Sequence, residues 1–168
     1  MSPLQQRLLI LMGLAVAILT IMADVVSKWY MLEVLDLLHR PPIEVTGYFN
    51  LVAVWNPGVS FGMFAGYNQP MILSAMSVVI VIILAVWLTR CDSRVLAIGL
   101  GLVIGGAIGN VADRLRFGKV FDFLDFHVSG WHWPAFNIAD SAIFIGVVLL
   151  CIHSMFLEHK KESKEGST

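Results

Sequence analysis

Charge is what this sequence has least of: Asp, Glu, Lys and Arg make up 14% of its 168 residues, about half the share of an ordinary soluble domain. With 58% hydrophobic residues and a mean hydropathy of +0.80, that scarcity argues against a water-soluble domain and for a membrane protein. The formal net charge is −1, and the few charges fall between long apolar runs. No basic surface is available for a nucleic-acid partner. Cysteine is nearly absent. Cys91, in a short polar loop, and Cys151, inside an apolar run, have the spacing of neither a disulfide framework nor a metal-ligand cluster, so both are read as free. Internal repeats and low-complexity segments are also missing.

What is present is apolar length. Four runs, about residues 8–26, 70–88, 95–112 and 138–157, approach the roughly 20 helical residues that cross a hydrocarbon core. The first is expected to be a retained span rather than a cleaved leader, because Ile21 stands where a cut after Ala23 needs a small residue. Residues 89–94 are too few for anything but a helical hairpin, so the N-terminus, this loop and the tail 158–168 share one membrane face. Arg7, Arg90, Arg94, Lys160, Lys161 and Lys164 crowd that face, while five further Lys and Arg are spread over much longer segments on the other. Short-loop positive charge orients a span, so both termini are expected in the cytoplasm.

Residues 27–69 and 113–137 are then extracytoplasmic. Pro41 and Pro42 break any helix, residues 43–45 and 49–55 are rich in β-branched and aromatic side chains, and Thr46-Gly47 supplies a turn. The expected fold is therefore a single all-α integral membrane domain, residues 1–168, of four transmembrane helices with a small extracytoplasmic β-sheet on the outer membrane surface. Trp29, Trp55, Trp131 and Trp133 are read as an outer interfacial belt and Trp87 as an inner one. Gly101, Gly105 and Gly109, with Gly106 beside them, leave one face of the third helix bare. Residues 121–127 read as an amphipathic surface segment, with a solvated role for Asp125 and none assigned to Asp122. The tail 158–168 is expected to be disordered.

Two acids stand out. Asp113 ends the third apolar run and Asp140 opens the fourth, so both fall at one depth near the outer edge of the bilayer, where an ionisable residue needs a cavity or a partner. Each follows an asparagine by three residues, Asn110 and Asn137, which on a helix places amide and carboxyl on one face. Asp113 paired with Arg114, and Asp140 as a first-turn acid, are the structural alternatives. Two carboxyls converging on one site tend to share a proton, and that state suits peptide hydrolysis. One carboxylate takes a proton from attacking water, while its protonated partner bonds the carbonyl oxygen and later protonates the amine.

Five blocks now carry a family resemblance: Asp24-Val-Val-Ser-Lys28, Asn56-Pro-Gly-Val-Ser-Phe-Gly62, Gly105-Gly-Ala-Ile-Gly-Asn-Val-Ala-Asp-Arg114, Val120-Phe-Asp-Phe123 and Phe136-Asn-Ile-Ala-Asp-Ser141. In this order they resemble those of the bacterial lipoprotein signal peptidases (signal peptidase II). The resemblance implies an aspartic endopeptidase of the bacterial inner membrane that cuts diacylglyceryl-modified prolipoproteins just before the lipidated cysteine, on the extracytoplasmic side. It implies Asp113 and Asp140 as the catalytic dyad, with Asn56, Gly58, Asn110, Arg114 and Asn137 lining the substrate site. Asp24 and Lys28 would support that site, although an ordinary ion pair four residues apart explains them equally. Gly105, Gly106 and Gly109 would admit either a substrate helix or a helix of the protein itself. Lipid and prolipoprotein are the implied partners; no cofactor or metal is expected, and oligomeric state stays open, a monomer being the simplest expectation. His39, His127 and His132 in the outer segments suggest a metal site only weakly. Residues 30–45 match no block. The competing reading is a proton-coupled transporter using the two acids as a relay, and a third is a noncatalytic assembly protein.

Overall fold

The computed structural model describes residues 1–58 and 69–165, with side chains described up to residue 155. Residues 59–62 of the Asn56 block and residues 166–168 of the tail lie outside the described residues. Among the described residues, four helices are long and apolar enough to cross a membrane: α1 (Pro3–Trp29), α2 (Gln69–Leu88), α3 (Arg94–Phe117) and α4 (Ile138–Glu165). Helix α1 starts at a capping box, in which Ser2 Oγ accepts from Gln5 N–H and Gln5 Oε1 accepts from Ser2 N–H. Ser93 caps α3 in the same manner at Leu96 N–H, and Gly118 ends it at φ +71°, the left-handed conformation that glycine adopts without strain. Helix α4 runs on to Glu165, past residue 158 where disorder is expected, because Glu and Lys are good helix formers. Cys91 and Cys151 are free thiols.

Helix α3 is the buried centre, and its glycines explain how. A Cβ on Gly101 would meet the Gly13 carbonyl; on Gly105 it would stand 2.6 Å from the Ala17 carbonyl and 2.7 Å from Thr20 Cβ. Gly106 faces the Ala139 carbonyl in the same way, and Gly109 faces Asp24. The bare faces of α3 are therefore filled by α1 and α4, which leaves no room there for a substrate helix. Of the two readings of Gly105, Gly106 and Gly109, packing is the one the structure adopts.

The sheet contains more than a hairpin. Strands β1 (Ile43–Thr46) and β2 (Phe49–Asn56) form the antiparallel hairpin that the sequence suggests, and β3 (Val120–Val128) and β4 (Trp131–His132) extend it in the order β1-β2-β3-β4. The segment read as an amphipathic surface piece is thus a central strand. Val120, Phe121, Asp122 and Phe123 are all buried, so its covered end shows no period-two alternation and gives no strand signal. Between Leu51 and Val54 the β2 register slips against β3, shifting the side-chain phase of β2 just before Asn56. Asp125 is a second correction: it is buried rather than solvated, bonded by Asn50 Nδ2 at 3.0 Å and His132 Nδ1 at 2.9 Å.

Residues after α1 brace this strand from below. The helix widens into a π-helical turn, Tyr30–Val34, closed by Leu35 N–H to the Tyr30 carbonyl at 2.9 Å. Leu37 then packs with Phe121 and Phe123, joined by Met31, Leu32 and Leu35. Trp55 is also a packing residue, its ring 5.2 Å from both Phe117 and Phe121.

Candidate active site

The ends of α1, α3 and β2 and the starts of β3 and α4 converge on a cluster of acids and amides. Asp140 is held twice: Asn110 Nδ2 donates to its Oδ1 at 2.7 Å, and the Asn137 N–H donates to its Oδ2 at 3.3 Å. In return the Asp140 N–H donates to Asn137 Oδ1 at 2.9 Å. This reciprocity is a capping box, so Asn137 stands at the N-cap of α4 and not on its face. The Asn-x-x-Asp repeat therefore has two different local meanings. Asn110 and Asp113 share a turn of α3, whereas Asn137 and Asp140 cap one another.

Asp113 does not pair with Arg114. Its Oδ2 accepts from Lys28 Nζ at 2.8 Å and from the Phe121 N–H at 3.1 Å. Lys28 also donates to Asp24 Oδ2 at 2.7 Å, and Asp24 Oδ1 accepts the Ala139 N–H at 3.0 Å. Asp24, Lys28 and Asp113 are all buried. One ammonium thus serves two carboxylates and ties three helices to β3. Asp24 and Lys28 are more than an intrahelical pair.

The residue that sequence reasoning passed over is Asp122. It is buried, its Oδ1 accepting from Asn137 Nδ2 at 2.7 Å and its Oδ2 from Asn56 Nδ2 at 2.9 Å. Among the described residues no cation forms an ion pair with it. Burial pushes the Asp122 carboxyl up to about 6; the nearby charge of Asp140 adds to the rise, while the Asn56 and Asn137 amides and the Lys28 charge hold it back. The Val-Phe-Asp-Phe block carried the available signal, an acid inside an aromatic run. Its weight depends on the pairing of β3 with β2, where Val54 stands opposite Asp122.

Asn56 completes the rim. Its Oδ1 accepts the Gly58 N–H at 2.8 Å, a turn that aims its amide at Asp122. Gly58 has φ +104° and lies against Leu73, and a Cβ there would be 3.8 Å from Arg114 Nη2. Arg114 donates to the Asn110 carbonyl at 3.4 Å, and among the described residues its buried Nε has no partner. Asp140, Asp122 and Asp113 all lie near enough to act electrostatically on this guanidinium. The outer histidines do not gather: His132 bonds Asp125 and stacks on His127 at 4.9 Å, whereas His39 bonds Asp36 at 2.6 Å.

Known proteins are similar to this chain over most of its length. A family model described as signal peptidase (SPase) II matches residues 16–156, a span that includes every residue of the cluster. A lipoprotein signal peptidase of Methylobacterium sp. (strain 4-46) is 37% identical over 156 residues, covering 92% of this chain and 94% of that protein. Another, from Nitrobacter hamburgensis, is 43% identical over 149 residues, 84% of this chain and 90% of the relative. A solved structure described as a bacterial membrane enzyme, determined by the in meso method at 2.3 Å resolution, superposes with a TM-score of 0.73 at 26% identity, covering 85% of this chain and 87% of the other. With four apolar helices and this breadth of similarity, the chain belongs to the signal peptidase II family of membrane peptidases.

Proposed function

We propose that this protein removes the signal peptide from prolipoproteins as an aspartic peptidase, cutting before the diacylglyceryl-modified cysteine at the outer face of the bacterial inner membrane. Family membership and the relatives' shared name, lipoprotein signal peptidase, support the reaction and substrate class. Neither supports a proton-coupled transporter.

Asp140 is one member of the reacting pair. The motif nominates Asp113 as the other, and Asn110, one turn before Asp113, does hold Asp140. The geometry favours Asp122. The observation that carries this choice is Asn137, whose side-chain amide bonds Asp122 while its main chain and Oδ1 bond Asp140. Asp113 is matched by the ammonium of Lys28. Among the described residues Asp122 accepts its hydrogen bonds from amides, and its carboxyl is near 6, so it can gain or lose a proton close to neutrality. Asp113 then acts by holding the Phe121 N–H, and with it the backbone that presents Asp122.

With one proton between Asp122 and Asp140, the ionised carboxylate takes a proton from water as its oxygen attacks the scissile carbonyl. The protonated carboxyl bonds the developing oxyanion and afterwards gives its proton to the leaving amine. Arg114, with Nε free, grips a substrate carbonyl or offsets dyad charge. Asn56 and Gly58 shape the opposite lip, and the sheet lies on the outer surface beside them. The lipidated cysteine's acyl chains stay in the bilayer.

The test is cleavage of a purified diacylglyceryl-modified prolipoprotein by wild type and by Asp113→Asn, Asp122→Asn and Asp140→Asn, each checked for folding. Folded Asp122→Asn and Asp140→Asn are expected to be inactive, and folded Asp113→Asn to retain measurable cleavage. A near-normal rate in Asp122→Asn with none in folded Asp113→Asn returns the role to Asp113. Near-normal cleavage by Asp140→Asn removes the dyad altogether.

A further inference from the structure

A cavity of about 550 Å³ beside the end of α1 serves no step described above, and its size is within the ~300–1,000 Å³ range of small-molecule sites. Val25, Val26 and Trp29 of α1 form one wall, Ala112 and Phe117 of α3 another, and Leu32 and Leu38 close it from the segment after α1. Val25, Val26 and Trp29 are half exposed and belong to a helix apolar enough to cross a membrane. In a membrane, the mouth therefore opens toward acyl chains. Asp122, Asp140 and Arg114 do not line it. At its inner end it reaches the Lys28–Asp113 ion pair.

The cavity also carries charge of both signs. Arg116 comes from the end of α3 and rests over the Phe117 ring at 4.7 Å, without an ion pair among the described residues. Glu33 and Asp36 come from the segment after α1, where the Asp36 side chain bonds the exposed His39 ring. An uncharged lipid would offer no charge to match these groups. An anionic headgroup would satisfy Arg116 but meet the two carboxylates, which like-charge repulsion disfavours. A headgroup with a phosphate and a protonated amine fits both.

We propose that this cavity binds one phospholipid of the phosphatidylethanolamine class, with an acyl chain between α1 and α3, its phosphate at Arg116 and its ammonium at Glu33 and Asp36. The chain covers the Lys28–Asp113 pair and keeps water from it, so that the attraction acts in a medium of low dielectric constant. This inference is independent of the peptidase mechanism, because its readout is lipid retention.

The experiment is native mass spectrometry of the full-length protein in detergent with an equimolar mixture of phosphatidylethanolamine and phosphatidylglycerol, repeated with excess inorganic phosphate. One phosphatidylethanolamine is expected to stay bound, preferred by about tenfold over phosphatidylglycerol, and not displaced by phosphate. Val26→Trp and Leu38→Trp fill the cavity from opposite walls, so whichever folds is expected to lose that lipid. Arg116→Glu is expected to abolish the preference. Equal retention of both lipids, displacement by phosphate, unsaturated binding of several lipids, or unchanged retention in a folded filling variant overturns the proposal.

Discussion

Lys28 Nζ lies 2.8 Å from Asp113 Oδ2, joining α1 to α3 through two side chains that are almost wholly buried. The same ammonium holds Asp24, so its removal strands two acids at once. Breaking a buried ion pair by deleting one partner costs about 3–5 kcal/mol. Lys28→Met is therefore expected to lower the thermal midpoint in detergent sharply. Adding Asp113→Asn to Lys28→Met should recover part of the loss, since one stranded charge is gone. If the two losses simply add, the residues are not coupled in this way.

Asp122 should leave a mark on stability as a function of pH. Its folded carboxyl titrates at about 6, above the ordinary value of 3.8, so between those values the folded chain binds more protons than the unfolded one. Stability contributed by this group is present below about pH 4, falls as pH rises to about 6, and stays flat above. Asp122→Asn removes the slope. Relative to wild type, the variant should gain stability between pH 4 and pH 7, measured as the difference in unfolding midpoint. A constant difference across that window rules the shift out.

One glycine within α3 and one just past its end should respond to the same substitution to different degrees. At Gly106 a Cβ would meet the Ala139 carbonyl and stand 2.8 Å from Ile143 Cγ1, pressing α4 away from α3. Gly106→Ala is expected to reduce the yield of folded protein severely. At Gly118 no atom lies within 4 Å of the new Cβ and only φ +71° resists, which costs ~1–2 kcal/mol. Gly118→Ala should fold with a modest drop in thermal midpoint. Equal losses would mean that α3 and α4 can separate without strain.

No step of the carboxyl mechanism uses a metal. Cleavage of the lipidated precursor is expected to proceed unchanged after dialysis against a chelator. Activity lost in chelator and restored by a divalent ion would sink the mechanism.

Much of this fold was legible because membranes impose a simple demand. The lengths of the apolar runs mark helices in a chain with so few charges, and Thr46-Gly47 between β-branched runs marks the β1–β2 hairpin. Strand β3 was not legible, because Phe121, Asp122 and Phe123 are all covered and a doubly covered strand has no alternation to read. The site divided along the same line. Asp140 and its asparagine follow from local spacing, since a capping box is local. The place of Asp122 follows from the slipped register of β2 and from Asn137 reaching across from α4, neither of which any short window of sequence contains. Lys28 looked like a helix pair because only its partner four residues away is visible in sequence; its second partner belongs to another helix.

The bond from the Ala139 N–H to Asp24 Oδ1 has a consequence for the order in which the chain is made. Ala139 lies in the first turn of α4, where amide protons have no partner within the helix. In hydrocarbon, such a donor is costly to leave bare. Its acceptor is on α1, which leaves the ribosome before α4 does. The earlier segment thus waits in the bilayer holding the group that the later segment requires, and α4 is fully satisfied only when it has met α1.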